Sequence, residues 1–232
     1  MTQTKQKLTI FIVIIGLLIA AGAGIVYSIR GNLTQSFIQQ VAEWMTGTDA
    51  EVRGNVKIDF GKSRISVERL DVKNFPDYES PLLAQISDIE IEYPNLRSLL
   101  WDKKHPTSIV ARIEAIHVEY NAQGKVNIAQ LRAISPDALK LPIDHAGFSA
   151  NKLDLSYGAV YYHERRSDLP QEDVEVDIQS KRDVFSKFTD PYILVQVPVL
   201  TTIASLKKGS LGVGRAEIQE RIRTAQTKPA AG

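Results

Sequence analysis

Residues Leu8 to Ile29 form 22 consecutive positions without a charged side chain, entered past Lys5 and Lys7 and left at Arg30. At about 1.5 Å rise per residue such a helix runs about 33 Å, enough to cross a hydrocarbon core of roughly 30 Å with slight tilt. The expectation is a single-pass membrane protein with one large body on one side. A cleaved signal peptide is the rival, because Ala21-Gly22-Ala23 offers small residues at a candidate cleavage point. Apolar character continues past that point through Ile25, Val26 and Tyr27. The run therefore exceeds the roughly 7–15 residues of a signal-peptide apolar region, and a retained anchor over 8–29 fits better.

Orientation follows from basic residues near the ends of the span. Lys5 and Lys7 precede it, whereas Arg30 is the only basic residue in the twenty positions from 30 to 49. That bias places residues 1–7 in the cytoplasm and exports a body of about 200 residues, long enough to bury its own core as one domain. The chain has no cysteine, so it folds without disulfides wherever it resides. A net charge of +1 provides no field that would recruit nucleic acid.

Beyond the anchor, Leu33, Phe37, Val41 and Trp44 or Met45 recur at helical spacing, which predicts a juxtamembrane amphipathic helix over 30–47. Its apolar stripe serves either lipid headgroups or the domain that follows, and Trp44 suits both settings. From Glu51 the period changes to two. Val52, Val56, Ile58 and Phe60 share one face of a strand; Ile65, Val67, Leu70 and Val72 form the next, with a phase slip between 67 and 70 that predicts a bulge. Ile89, Ile91 and Tyr93 give a third, followed by a helical turn over 96–101. Ile109 to Tyr120 make a longer strand, closed by Asn121-Ala122-Gln123-Gly124 and resumed by Val126 and Ile128. Leu153 to Tyr161 and Val174 to Ile178 pair next, and Ile193, Val195, Val197 and Val199 read as an edge strand that tolerates Pro198. The whole is a mainly β chain: a transmembrane helix, an amphipathic helix, then seven or eight strands in an antiparallel-rich sheet with short helices over 51–214. A C-terminal helix and disordered tail over 215–232 complete the expected order.

Little in this pattern carries reaction chemistry. His105, His117, His145 and His163 fall in four segments with no i, i+4 pair and no cysteine partner, so no metal site is expected. His117 reads as a polar residue on the outer face of its strand, and His163 as a solvated strand end. Glu90 and Glu92 are two apart on one strand face and read as solvated rather than as an acid/base pair. The run Gly209 to Gly214 lacks the Lys-Ser/Thr ending of a phosphate loop. No catalytic residue and no cofactor is expected; a hydrolase is kept only as a third class.

Several segments, taken in order, resemble the N-terminal region of the AsmA-like envelope proteins. The matching pieces are the anchor and amphipathic helix leading into Gly54-Asn55-Val56-Lys57-Ile58-Asp59-Phe60, then Ile65 to Asn74, then Leu83 to Ile91 running into Asn95-Leu96-Arg97-Ser98-Leu99-Leu100. Ile113 to Tyr120 with Gly124-Lys125-Val126-Asn127-Ile128, and later Leu153 to Tyr162, continue the series over about three quarters of the chain. The resemblance implies a bacterial inner-membrane anchor, a periplasmic body and a curved sheet with an apolar concave face. In larger relatives that groove is associated with carrying phospholipid or with outer-membrane biogenesis. The residues expected to line it are Val56, Ile58, Ile89, Ile91, Val118 and Leu155, with membrane lipid as partner and Lys5, Lys7, Arg30 and Trp44 at the membrane interface. A larger envelope protein or a second copy is a further expected partner, since eight strands at roughly 4.8 Å reach only about 40 Å. The alternative function is a scaffolding subunit whose sheet is filled by its own side chains.

Overall fold

The structure, a computed structural model, describes residues 35–101, 105–134 and 148–206. The expected anchor over 8–29 with Lys5, Lys7 and Arg30, His145, the glycine-containing run from 209 and the expected 215–232 segment lie outside the described residues. Among the described residues no helix is long and apolar enough to cross a membrane.

Helix α1 covers 35–46 and stops where Gly47 takes a φ of +80°, a left-handed conformation that suits glycine after a helix end. Its Ile38 and Ala42 pack on the core and Met45 is buried, a face one residue round from the expected stripe, whose Phe37 is exposed. Seven strands follow: β1 (Ala50–Asp59), β2 (Arg64–Lys73), β3 (Leu82–Glu92), β4 (Ser108–Tyr120), β5 (Ala150–Glu164), β6 (Glu172–Asp177) and β7 (Arg182–Phe188). Helix α2 (Leu96–Trp101) separates β3 from β4, and helix α3 (Ile193–Ser205) follows β7.

The strands form one open sheet in the order β1-β2-β3-β4-β5, and β6 and β7 share the far edge of β5. β6 pairs with the half of β5 from Ala159 to Glu164, and β7 with the half from Ala150 to Ser156. They are one strand interrupted by residues 178–181. All pairings are antiparallel except β4 with β5. The sheet is therefore six strand positions wide, about 29 Å at roughly 4.8 Å per strand, against the roughly 40 Å expected from eight strands.

The phase slips fall on a diagonal across the sheet that steps by about three residues between β3 and β4. The slip expected between Val67 and Leu70 is one of a series: the register shifts between Arg53 and Val56 in β1, and between Ser87 and Glu90 in β3. β4 and β5 slip together where Glu114 lies opposite Gly158, and 178–181 continue the line between β6 and β7. Gly158 is required there, because a Cβ would fall against the carbonyl oxygen of Glu114. On the outer side of the line, Ser87 Oγ donates to Glu114 at 2.6 Å and Arg112 Nε at 2.9 Å. Those bonds hold the Glu114 carboxyl below the usual range, Ser87 contributing most.

Two expectations fail. Residues 193–199 are not an edge strand but the first half of α3. Asp190 Oδ1 accepts the Tyr192 N–H at 2.9 Å and Pro191 occupies the opening turn, so the segment has a helix start that apolar alternation conceals. Leu194 and Leu200 lie out of phase with the alternation, and both pack on the core as a helix allows. Nor do Val126 and Ile128 resume a strand: after a single bridge from Tyr120 to Val126 the chain enters 3-10 turns over Asn127–Gln130 and Arg132–Ile134. Asn127, fully buried, is the cause. Its Oδ1 accepts the N–H groups of Glu119 and Ile128, and its Nδ2 donates to the His117 carbonyl and Asn74 Oδ1. Two of those bonds, to the Glu119 N–H and the His117 carbonyl, satisfy the end of β4 where β3 no longer pairs with it.

Candidate functional site

One face of the sheet is apolar from edge to edge, and strand register assembles it. Ile58, Ile65, Ile91, Ile109, Leu153 and Phe185 make one row across six strands, each facing the next in register. Val56, Val67 and Ile89 make the adjacent row, and Ala111 with Leu155 continues it on β4 and β5. The same face continues with Leu70 and Ile86, past the slips of β2 and β3, beside Ile113, which lies just before that of β4, and then with Val72, Ala84, Ile116 and Val160. Val118, opposite Tyr162, lies further along β4.

The six residues expected to line a groove thus share a face, but not an exposure. Val56, Ile58 and Ile91, on β1 and β3, are half-buried; Ile89 is 8%, Leu155 4% and Val118 0% exposed. Val118 is part of a closed core, flanked by the backbone groups that Asn127 binds. The face is closed over β2, β4 and β5, and partly covered at Val56 and Ile58 of β1 and Ile86 and Ile91 of β3.

Helix α3 lies against this face. It leaves a gap of about 70 Å³ lined by Val72, Ala84, Ile86 and Ile113 of the sheet and by Leu194 and Pro198 of the helix, among others. One polar contact fixes the far end of α3: Asp183, on β7, accepts hydrogen bonds from Tyr157 at 2.5 Å and from Thr201 at 2.7 Å. Burial pushes the Tyr157 phenol far up, with the Asp183 carboxylate adding to it, so tyrosine remains the donor. At the near end Gln196 Nε2 donates to the Ala133 carbonyl at 3.1 Å, and Tyr192 packs on Trp44 with ring centroids 5.3 Å apart. Trp44, expected at the membrane interface, is thus half-buried against α3.

The opposite face is polar. Its densest feature is a row that sequence spacing does not reveal, since its two histidines are 46 residues apart. His163 Nδ1 lies 2.7 Å from Asp173 Oδ1, and His163 Nε2 lies 3.2 Å from His117 Nδ1. The two rings are 5° from parallel with centroids 5.5 Å apart, a separation larger than the N···N distance by about the two ring radii, so they meet edge to edge. Tyr161 stacks on His117 at 5.0 Å, and Arg165 ties Asp173 to Glu79. Hydrogen bonds from His163 and then Arg165 keep the Asp173 carboxyl below its ordinary range, while burial depresses the His117 imidazole to about 4. His163, expected to be solvated, is instead the middle of this row. It joins β4, β5 and the edge strand β6, and only the parallel register of β4 on β5 could have revealed it.

Other polar candidates are engaged structurally. Glu90 pairs with Arg64 at 2.7 Å and Glu92 accepts from Ser108 at 3.0 Å. Among the described residues no group of three or more His, Cys, Asp or Glu could hold a metal ion. Comparison with known proteins finds no match to this chain among family models, curated proteins or solved structures.

Proposed function

We propose that this chain is a non-enzymatic, AsmA-like lipid-handling protein of the bacterial envelope, anchored in the inner membrane by residues 8–29 with its body in the periplasm. The observation that carries the reading is the apolar face that crosses every strand position and stays half-buried at Val56, Ile58, Ile86 and Ile91. Val56 and Ile58 on β1, Ile91 on β3 and, further along β3, Ile86 are the places on this face that keep partial exposure, and they are where an acyl tail would lie. The reach is local. A sheet about 29 Å wide does not exceed one bilayer core of roughly 30 Å, so one copy works at its own membrane or within a larger assembly.

Native mass spectrometry of the full chain, extracted from membranes in mild detergent, tests the proposal. Bound phospholipid or fatty acid is expected, and Ile91→Asp should lose it while the circular dichroism spectrum stays intact, because a half-buried carboxylate keeps part of its water. Leu155→Asp, at 4% exposure, should instead unfold the body, since an unpaired buried charge costs several kcal/mol. A parent protein free of lipid would overturn the reading. It would favour a scaffolding subunit, which the near-zero exposure of Val118, Leu153 and Val160 supports.

A further inference from the structure

On the polar face, His117 and His163 meet along one line. Their parallel rings have centroids 5.5 Å apart, which is the 3.2 Å between His117 Nδ1 and His163 Nε2 plus the two ring radii, so both nitrogens lie on the line of centroids and the rings are coplanar. Each in-plane lone pair, or the N–H in its place, therefore points straight at the other ring. One proton fits on that axis.

The surroundings do more than a hydrogen bond between two strand histidines requires. The far nitrogen of His163 is held at 2.7 Å by Asp173, the carboxylate contact that orients a metal-ligating imidazole and raises its basicity. Burial depresses His117 to about 4, so near neutral pH its ring is uncharged and has a lone pair to offer. Tyr161 lies against the His117 ring at 5.0 Å and fixes its plane. Three carboxylates, Asp173 and Glu175 on β6 and Glu79 ahead of β3, stand around the pair with Arg165 as their guanidinium partner, a balance that favours an added cation. Glu119, next on this side of β4, is turned to the N–H groups of Glu79 and Ser80.

Direction decides which cation. A tetrahedral ion at about 2 Å from each nitrogen would accept the 3.2 Å separation, but it needs lone pairs that converge at roughly 109°, and these oppose each other at roughly 180°. It also needs more ligands, and among the described residues no group of three or more His, Cys, Asp or Glu could hold a metal ion. A closed-shell monovalent ion with two collinear imidazoles needs neither. At about 2 Å per bond its nitrogens stand about 4 Å apart, so the rings would part by about 0.8 Å.

We propose that His117 and His163 form a two-coordinate site for a monovalent closed-shell cation, Cu(I) or Ag(I), which takes the proton's place on the axis and, through Asp173, ties β4 and β5 to the edge strand β6. The displaced proton goes to the other nitrogen of His117 or to solvent, and no electron is transferred. The site is on the face opposite α3, so it stands apart from the lipid-handling reading and from whatever covers the apolar face.

Silver nitrate, titrated in chloride-free buffer into the full chain in mild detergent and followed by calorimetry, tests it. The chain has no cysteine, and its thioether rivals for silver are Met1 and Met45. The parent should show one site that His117→Phe and His163→Gln each weaken at least about tenfold with circular dichroism unchanged, and that Asp173→Asn weakens about tenfold, the usual cost of an orienting carboxylate. His105→Gln should change nothing, and zinc sulfate should bind the parent no better than it binds His117→Phe. X-ray absorption of the silver-loaded parent reads the geometry without any variant: two nitrogen neighbours support the site, whereas sulfur neighbours or three or more ligands overturn it. Equal silver affinity of the parent and His117→Phe overturns it too, as does zinc binding that depends on both histidines. Should His117→Phe not fold, the absorption spectrum decides alone.

Discussion

At the scale of single residues, the fold depends on a few positions whose chemistry admits little substitution. Gly158 sits where β5 crosses the diagonal of slips, with the Glu114 carbonyl in the space a Cβ would occupy. Gly158→Ala is expected to force the parallel pair β4–β5 apart and cost about 2–3 kcal/mol, as strain in a packed core does. Gly61→Ala, whose new Cβ would meet only Asp59 Oδ1 at 3.4 Å, should be close to neutral. Urea denaturation of the two variants compares them directly, and equal midpoints would contradict that placement of Gly158. His117 sets a pH dependence. Its folded value, about 4, lies below the ordinary 6.5, so the unfolded chain binds more protons between those values. Its contribution to stability is complete above about pH 6.5 and is lost as the pH falls towards about 4, by about 1–2 kcal/mol after screening. His117→Phe keeps the stack on Tyr161 and should flatten that part of the stability profile; an unchanged slope would place the titration elsewhere. The sequence identified His117 as an outer-face residue but could not pair it with His163, because the pairing depends on a parallel register joined by a crossover of some thirty residues, 121–149.

At the scale of elements, the strands up to Tyr162 were legible because one side of each is polar, and a period of two survives when only one face is buried. The errors lie where that contrast disappears. Ile193 to Val199 has apolar residues at odd and even positions alike, with only Gln196 and Pro198 between them, so alternation and helix describe it equally well. Asp190-Pro191 was the available evidence for a helix start, and its effect is measurable. Asp190→Ala should cost about 1 kcal/mol of stability, the usual worth of a capping side chain, and should lower the helical signal in circular dichroism. No change in either would mean that α3 is held by packing alone. β7 escaped notice for a different reason: Arg182 to Phe188 carries Arg182, Asp183 and Lys187, and its partner β5 is known only from the fold. Arg182 is held there by a two-pronged bond to Asp154 at 2.7 Å for each contact, with Lys152 beside it; together they keep the Asp154 carboxyl far below the usual range.

At the scale of the whole molecule, a mainly β chain with a few helices was readable from periodicity, whereas the openness of the sheet and the covering of its apolar face were not. Inward-facing valine and isoleucine look the same in a sequence whether a helix, a lipid or a neighbouring chain lies over them. Val118 and Leu155 belong to the filled part, and Val56, Ile58 and Ile91 to the part that is incompletely covered. The central claim is that acyl chains occupy this second part in the cell. Photo-crosslinking measures this most directly, with a benzophenone amino acid placed in the full chain at Ile91, at Ile86, or on the polar face at Arg112, irradiated in living cells and followed by mass spectrometry of the adducts. Lipid adducts are expected at Ile91 and Ile86 and absent at Arg112; protein adducts alone at Ile91 and Ile86, or lipid adducts equally abundant at all three positions, would contradict the account.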